Sequence, residues 1–435
     1  MGALTAAAIL FGAFFLLLFA GVPISVSLGV AAMVTALMFL PAGDATYVVG
    51  QQMNVGIESF PLLAVPLFIF AGTIMNTGGI ARRLVDLALV AVGRVPGALA
   101  HTNVVANTLF GSLSGSAVAS AAAIGSTLHD RQKEAGYDPA FGAAVNIASA
   151  PSGLLIPPTT AAIVYSTVAG GVSVSALFMA GYVPGILMGI VIMAIAYVFT
   201  RRQGYPKLGR VGAAEAVRVF LRALPGLLLI VVVVGGIVFG VFTATEGAGI
   251  AVLYTLVLSL VYRSMSWSAF KDVVTRTVVA TGIVMFLIAA SAGMSWVMAY
   301  TGIPGAITDT LLSVADSKVV VLLLMLVVLL AVGTFMDITP AILIFTPILL
   351  PISEELGMDP VHFGMVLILA MCIGTMTPPV GSVLFVGTGV SGVSIEQVVP
   401  RLLPYFAGLV LLLLAVTFIP ELSLGLPEMM GLLEE

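Results

Sequence analysis

Apolar residues run along the chain in blocks of about twenty, separated by short polar or charged clusters. About 20 apolar residues make one helical bilayer crossing. Ten stretches reach that length: 4–20, 21–41, 59–77, 140–168, 173–200, 224–242, 243–262, 277–300, 361–386 and 402–420. Two further apolar regions, 97–127 and 319–352, are interrupted midway by polar residues. Each reads as a re-entrant hairpin, because irregular backbone at membrane depth survives only inside protein or beside a wet cavity. The pattern predicts an all-α polytopic membrane protein. The stretches 4–20 and 21–41 meet at the very short "GVPIS"; fused into one helix, they would change the parity of every later crossing.

Two crossings carry a double proline. "SGLLIPPTTAAIVY" spans Ser152 to Tyr165 and "GTMTPPVGSVLF" spans Gly374 to Phe385. Proline removes an amide donor and clashes with the preceding turn, but it suits the first turn of a new helix. Each crossing is therefore predicted to break, exposing carbonyl ends and amide ends inside the membrane. Carbonyls can ligate sodium, and the positive N-terminal end of a half-helix attracts an anion.

The breaks belong to an internal repeat. "EAGYDPAFG" from Glu134 pairs with "ELGMDPVHFG" from Glu355, and "GGVSVSALF" from Gly170 pairs with "SGVSIEQVV" from Ser391. "TGGIARRL" from Thr77 likewise pairs with "YTGIPGAI" from Tyr300. Each half holds five crossings and one hairpin, an odd number, so the second half enters from the opposite side. Inverted repeats with broken helices point to a secondary transporter. The expected division is a first repeat over 1–205, a cytoplasmic linker over 206–221, a second repeat over 222–425 and a periplasmic tail over 426–435.

Charge tests the map. With the N-terminus outside, the inside segments hold 15 of the 16 Lys and Arg residues, and only Lys318 falls outside. Cytoplasmic loops are enriched in Lys and Arg, so both termini are expected on the periplasmic or exterior face. No basic segment precedes the first apolar run, which reads as a retained helix and not a cleaved signal. Composition agrees: 60% of residues are hydrophobic and 8% charged, against about 25% charged in soluble domains. A lipid bilayer is the expected environment, and no nucleic-acid partner is expected. Cys372, the one cysteine, reads as a packing residue.

Candidate chemistry concentrates at the interruptions. "GSLSGSAVAS", Gly111 to Ser120, forms the first hairpin tip, and "GTFMDITPA", Gly333 to Ala341, the second. Asp337 and Glu246 are the two carboxylates placed within apolar spans. An ionisable residue at membrane depth is a functional candidate; Asp337 is weighed for sodium or substrate against capping a half-helix. Glu246, at a helix start, reads as a cap. No histidine cluster, metalloprotease spacing or catalytic dyad is present, so no enzyme is predicted.

In combination, "GSLSGSAVAS", "PSGLLIPPTTAAIVY", "TATEGAG", "GTFMDITPAILIFTPIL" and "GTMTPPVGSVLF" resemble the large membrane subunit of TRAP (tripartite ATP-independent periplasmic) transporters, across essentially the whole chain. The resemblance implies sodium-driven import of an organic acid, a C4-dicarboxylate or related carboxylate. It implies an elevator mechanism, in which a transport domain carrying both hairpins slides against a scaffold. It implies two partners, a small four-helix membrane subunit as a separate polypeptide and a periplasmic substrate-binding protein. No cofactor is implied beyond Na⁺, with two or more coupling ions. One ion is implied at Ser112, Ser114, Ser152 and Gly153, and a second at Gly333, Thr334, Asp337, Gly374 and Thr377. Substrate is implied near Ser114, Ser116, Ser152 and Thr377. Tyr300 is a further substrate-facing candidate; it stands where sialic-acid members are expected to carry an arginine, which argues against sialic acid. The rival expectation is a self-sufficient sodium–dicarboxylate symporter of the same architecture.

Overall fold

The computed structural model describes residues 2–77, 79–205, 207, 209, 211–314 and 317–433, and among these every regular element is helical. Helices α1 (Ala3–Phe19) and α2 (Ile24–Phe39) are separate and pack on each other. Next come α3 (Ala42–Val55), a 3₁₀ turn (Phe60–Leu63) leading into α4 (Ala64–Thr77), and α5 (Ile80–Val92). The first hairpin is α6 (Ala98–Ser114) and α7 (Ala117–Glu134). The first broken span is α8 (Pro139–Ser149), a 3₁₀ turn (Ala150–Leu154) and α9 (Thr160–Val168), followed by α10 (Val174–Gln203).

The second half repeats this order. It comprises α11 (Ala213–Val238), α12 (Ala244–Val261), α13 (Trp267–Thr301) and α14 (Ile303–Val314). The second hairpin is α15 (Lys318–Gly333) and α16 (Ile338–Glu355), and the second broken span is α17 (Pro360–Gly374) and α18 (Ser382–Ser391). Helices α19 (Ile395–Phe418) and α20 (Glu421–Met429) close the chain. Helices α16, α17 and α19 each begin 221 residues after α7, α8 and α10, the separation that also divides Pro151 from Cys372.

The predicted breaks are present. Pro157–Pro158 and Pro378–Pro379 interrupt their spans, with cis peptide bonds. Among the described residues, seven helices are long and apolar enough to cross a membrane. One of them is the hairpin arm α16, so six of the ten expected crossings are single long helices. The other four are α1 and α2, at 17 and 16 residues, and the two broken spans. Helix α13 runs 35 residues, beginning ten before the expected start of 277, because Lys271, Asp272 and Arg276 lie on exposed positions of one continuous helix. The expected linker 206–221 is helical from Ala213, since "AAEAVRVFLRAL" spaces its apolar residues at helical intervals. The expected tail begins within α20. Pro206, Leu208, Arg210, Glu434 and Glu435 lie outside the described residues.

Contacts sort equivalent positions to opposite ends. Asp138, which opens the first broken span, meets Arg401 (Oδ2–Nη2 3.0 Å). Tyr165, near the far end of that span, donates to the carbonyl of Pro360, the residue that opens the second (2.5 Å). Beyond Pro360, His362 is held between Ser423 Oγ (2.6 Å) and the Thr417 carbonyl (3.2 Å). Its ring ties α17 to α19 and α20. Cys372 is fully buried and faces the Pro151 carbonyl. Glu246 forms a capping box with Thr243 at the start of α12, the expected role.

Candidate functional site

Each hairpin grips a broken span through glycine. Helix α6 crosses the first break where Gly111 meets Gly153, and α15 crosses the second where Gly333 meets Gly374. A methyl group added at any of the four would lie within 3 Å of the facing backbone. Real Cβ atoms do not sit that close, so only glycine allows these crossings. The two contacts are equivalent in the repeat, and they hold four backbone segments against one another at the points where helical hydrogen bonding stops.

The first crossing is rich in hydroxyls. Ser152 is fully buried; its Oγ donates to the Ser149 carbonyl (2.6 Å) and lies 2.7 Å from Thr108 Oγ1. Ser112 is buried, its hydroxyl turned to the Leu109 carbonyl at 2.9 Å. The tip turns at Gly115, whose φ of 64° is left-handed, a conformation glycine adopts without a Cβ penalty. Ser116 then caps α7, its Oγ accepting the Ala119 amide at 3.2 Å. Ser114 Oγ lies 3.4 Å from the Ser116 carbonyl, and the Ser114 carbonyl packs on Gly72 of α4.

The second crossing is rich in carbonyls. The Gly381 amide donates to the Thr334 carbonyl (2.9 Å), and Gly381, at φ 44°, sits beneath the carbonyls of Thr375 and Thr377. Three backbone oxygens thus surround one point of the break. Ser382 Oγ is buried there without a hydrogen-bond partner. Asp337 caps α16, its Oδ1 accepting the Ile338 amide at 2.9 Å. Its carboxylate remains accessible because it lines a cavity.

That cavity joins the halves. It encloses about 60 Å³ between Gly115 and Ser116 of the first tip, Leu154 and Thr160 of the first break, and Asp337 and Thr339 of the second tip. Three helices begin at it: α7, α9 and α16. Each N-terminus contributes about half a positive charge. Among the described residues that line the cavity there is no lysine or arginine, and Asp337 is the one ionisable side chain. A cation beside Asp337 and an anion facing the helix N-termini are the charges such a field favours.

The structure therefore brings Ser116 and Asp337 into one cavity, groups Ser112, Ser152 and Gly153 at the first crossing, and groups Gly333, Thr334, Gly374 and Thr377 at the second. It does not bring Tyr300 to either. Tyr300 is exposed near the end of α13 and stacks on Trp296 at 5.0 Å. Four participants were not singled out from the sequence: Thr108, Thr339 and Thr375, and a buried network around Asn107. Asn107 Nδ2 reaches Asn103 Oδ1 (2.7 Å), Asn146 Oδ1 (3.0 Å) and Ser149 Oγ (2.8 Å), while Ser120 Oγ donates to Asn107 Oδ1 (2.8 Å). The signal was available, since asparagines four apart in "NVVAN" within an apolar stretch require polar partners. Asn107→Leu should lower stability by about 3 kcal/mol, because it strands several buried groups that each cost about 1–3 kcal/mol unpaired. Thermal unfolding of the purified protein checks this.

Paired hairpins locked onto broken spans, inside a bundle whose long helices are apolar, define a multi-pass membrane permease. The family described as "Tripartite ATP-independent periplasmic transporter, DctM component" matches residues 11–422. The chain belongs to that family, and is a large permease subunit of the TRAP type. It is 50% identical over 421 residues to an uncharacterized protein, YgiK, of Salmonella typhimurium, covering 97% of both chains. It is 40% identical over 407 residues to the C4-dicarboxylate TRAP transporter large permease protein DctM of Pseudomonas aeruginosa, covering 93% of this chain and 95% of that one. It is 35% identical over 416 residues to the sialic acid TRAP transporter large permease protein SiaM of Vibrio cholerae, covering 95% and 96%. The fold is similar to the crystal structure of the Alcanivorax borkumensis YdaH transporter, with a TM-score of 0.61, 16% identity, and coverage of 87% of this chain and 90% of that one.

Proposed function

We propose that the chain imports an organic acid across the inner membrane, coupled to two or more Na⁺ ions. A periplasmic binding protein delivers the solute, and a small four-helix subunit completes the membrane complex. The hairpins and broken spans form the moving transport domain of an elevator. The observation that supports this most is the cavity where three helix N-termini meet Asp337 without a basic side chain. A lone anion near the midplane is expensive; sodium offsets its charge, and each net positive charge moved through 100 mV adds about 2.3 kcal/mol of driving force. A C4-dicarboxylate is favoured because it is the solute named for the Pseudomonas aeruginosa relative, which is 40% identical, against 35% for the sialic acid relative.

Reconstitution tests the reading. Proteoliposomes holding this chain, its small subunit and its binding protein should take up a C4-dicarboxylate only with an inward Na⁺ gradient. Omitting either partner should abolish uptake. Equal uptake by this chain alone would identify a self-sufficient symporter instead.

A further inference from the structure

A second cavity, lined by none of the residues of the hairpin-tip cavity, gathers three arginines. It measures about 870 Å³ and lies between the α4–α5 junction, α7, α11 and the end of α12. Arg82, Arg83 and Arg222 line it. Asp86 is the one acidic residue in its wall, and Arg131 lies 3.8 Å from that carboxylate. Among the described residues, none of the three lining arginines forms an ion pair with a carboxylate.

Arg83 is the most telling. Its guanidinium carbon lies over the Tyr262 ring, 3.4 Å from the centroid. Its Nη1 is buried and makes no hydrogen bond. A buried, unpartnered charged donor is costly, and a planar guanidinium is matched by the paired oxygens of a phosphate. Arg82, next to Arg83 on α5, and Arg222 of α11 add charge to the same cavity.

The rim shows what carries the phosphate. Leu221 and Pro225 of α11 form one edge of the cavity. Leu228 and Val232 continue the same helical stripe and are exposed, as is Leu221. The arginines thus sit at the head of an uncovered apolar strip about three turns long. A headgroup above and an acyl chain along the strip satisfy both at once; a free phosphate satisfies only the first. Basic pockets between membrane helices are lipid headgroup sites.

We propose that this cavity binds the phosphodiester headgroup of an anionic phospholipid, with an acyl chain lying along α11. The bound lipid joins the hairpin arm α7 to α5, α11 and α12.

Thermal unfolding of the delipidated protein in neutral detergent tests it. Phosphatidylglycerol should raise Tm by several degrees, while phosphatidylcholine or sodium phosphate at the same concentration should give less than half that shift. R82Q/R222Q should abolish the shift. K271Q, whose side chain lies near Trp267 and outside the cavity, should leave it intact. An unchanged shift in R82Q/R222Q, or a K271Q loss as large, overturns the proposal. So does a full shift with phosphatidylcholine, and a full shift with sodium phosphate would assign the site to free phosphate. Native mass spectrometry of the wild-type protein, offered both lipids in equal amounts, gives an answer independent of the variants: selective retention of phosphatidylglycerol supports the site, and equal retention contradicts it.

Discussion

Asp337→Asn should cut sodium-driven uptake by at least about tenfold while leaving the protein folded. Asparagine is as good a helix cap as aspartate, so the Ile338 amide keeps its acceptor and α16 keeps its start. What disappears is the negative charge. The cavity around Asp337 has three helix N-termini and no lysine or arginine. Removing the carboxylate leaves a purely positive field, which repels a cation. At about 4 Å, with an effective dielectric of about 20, a unit charge pair is worth about 4 kcal/mol. A tenfold loss needs only about 1.4 kcal/mol. The measurement is initial uptake against Na⁺ concentration in proteoliposomes, with Tm recorded in parallel. The half-saturating Na⁺ concentration should rise. An unchanged Na⁺ dependence would remove Asp337 from the site.

Gly153→Ala and Gly374→Ala should damage the fold itself. A methyl at either position meets the backbone of the crossing helix, at Gly111 or Gly333, and not the movable end of a side chain. The helices must part, and overpacking of this kind costs about 1–3 kcal/mol. Both variants should lower Tm by several degrees and lose uptake together with stability. Gly389→Ala is the control. Gly389 lies within α18 with nothing within 4 Å of an added Cβ, and alanine favours a helix by about 1 kcal/mol over glycine. Its Tm should hold or rise. Equal losses in all three would show that the crossings are not special.

Much of this was readable in advance, because the breaks are written in residues with strong backbone preferences. A double proline in an apolar run admits few structures, and its recurrence 221 residues later, as from Pro157 to Pro378, exposed the repeat. The hairpin tips announced themselves through serine, glycine and aspartate at membrane depth. Elements whose logic is amphipathic or tertiary were harder to see. Helix α5 places Arg82, Arg83 and Asp86 among apolar residues, so it is too short and too charged to read as a crossing, yet it packs along α6. Helix α3, with α4 beyond it, occupies the positions that α13 covers as one helix. Sequence similarity alone does not report where one repeat bends and the other runs straight. The Asn107 network has no counterpart at the equivalent position, Val328, so the repeat could not reveal it. Tyr300 was placed by resemblance to sialic-acid members of the family; its ring stacks on Trp296 and stays exposed.

The whole account depends on the two halves entering the membrane from opposite faces. Glu134 and Glu355 are equivalent, exposed, and close helices α7 and α16. Cysteine placed at each, with buried Cys372 as an unreactive internal control, can be probed with a membrane-impermeant maleimide. The E355C variant should label in intact cells, and E134C only after the membrane is opened. Labelling of both from the same face would contradict the inverted arrangement and the central site built on it.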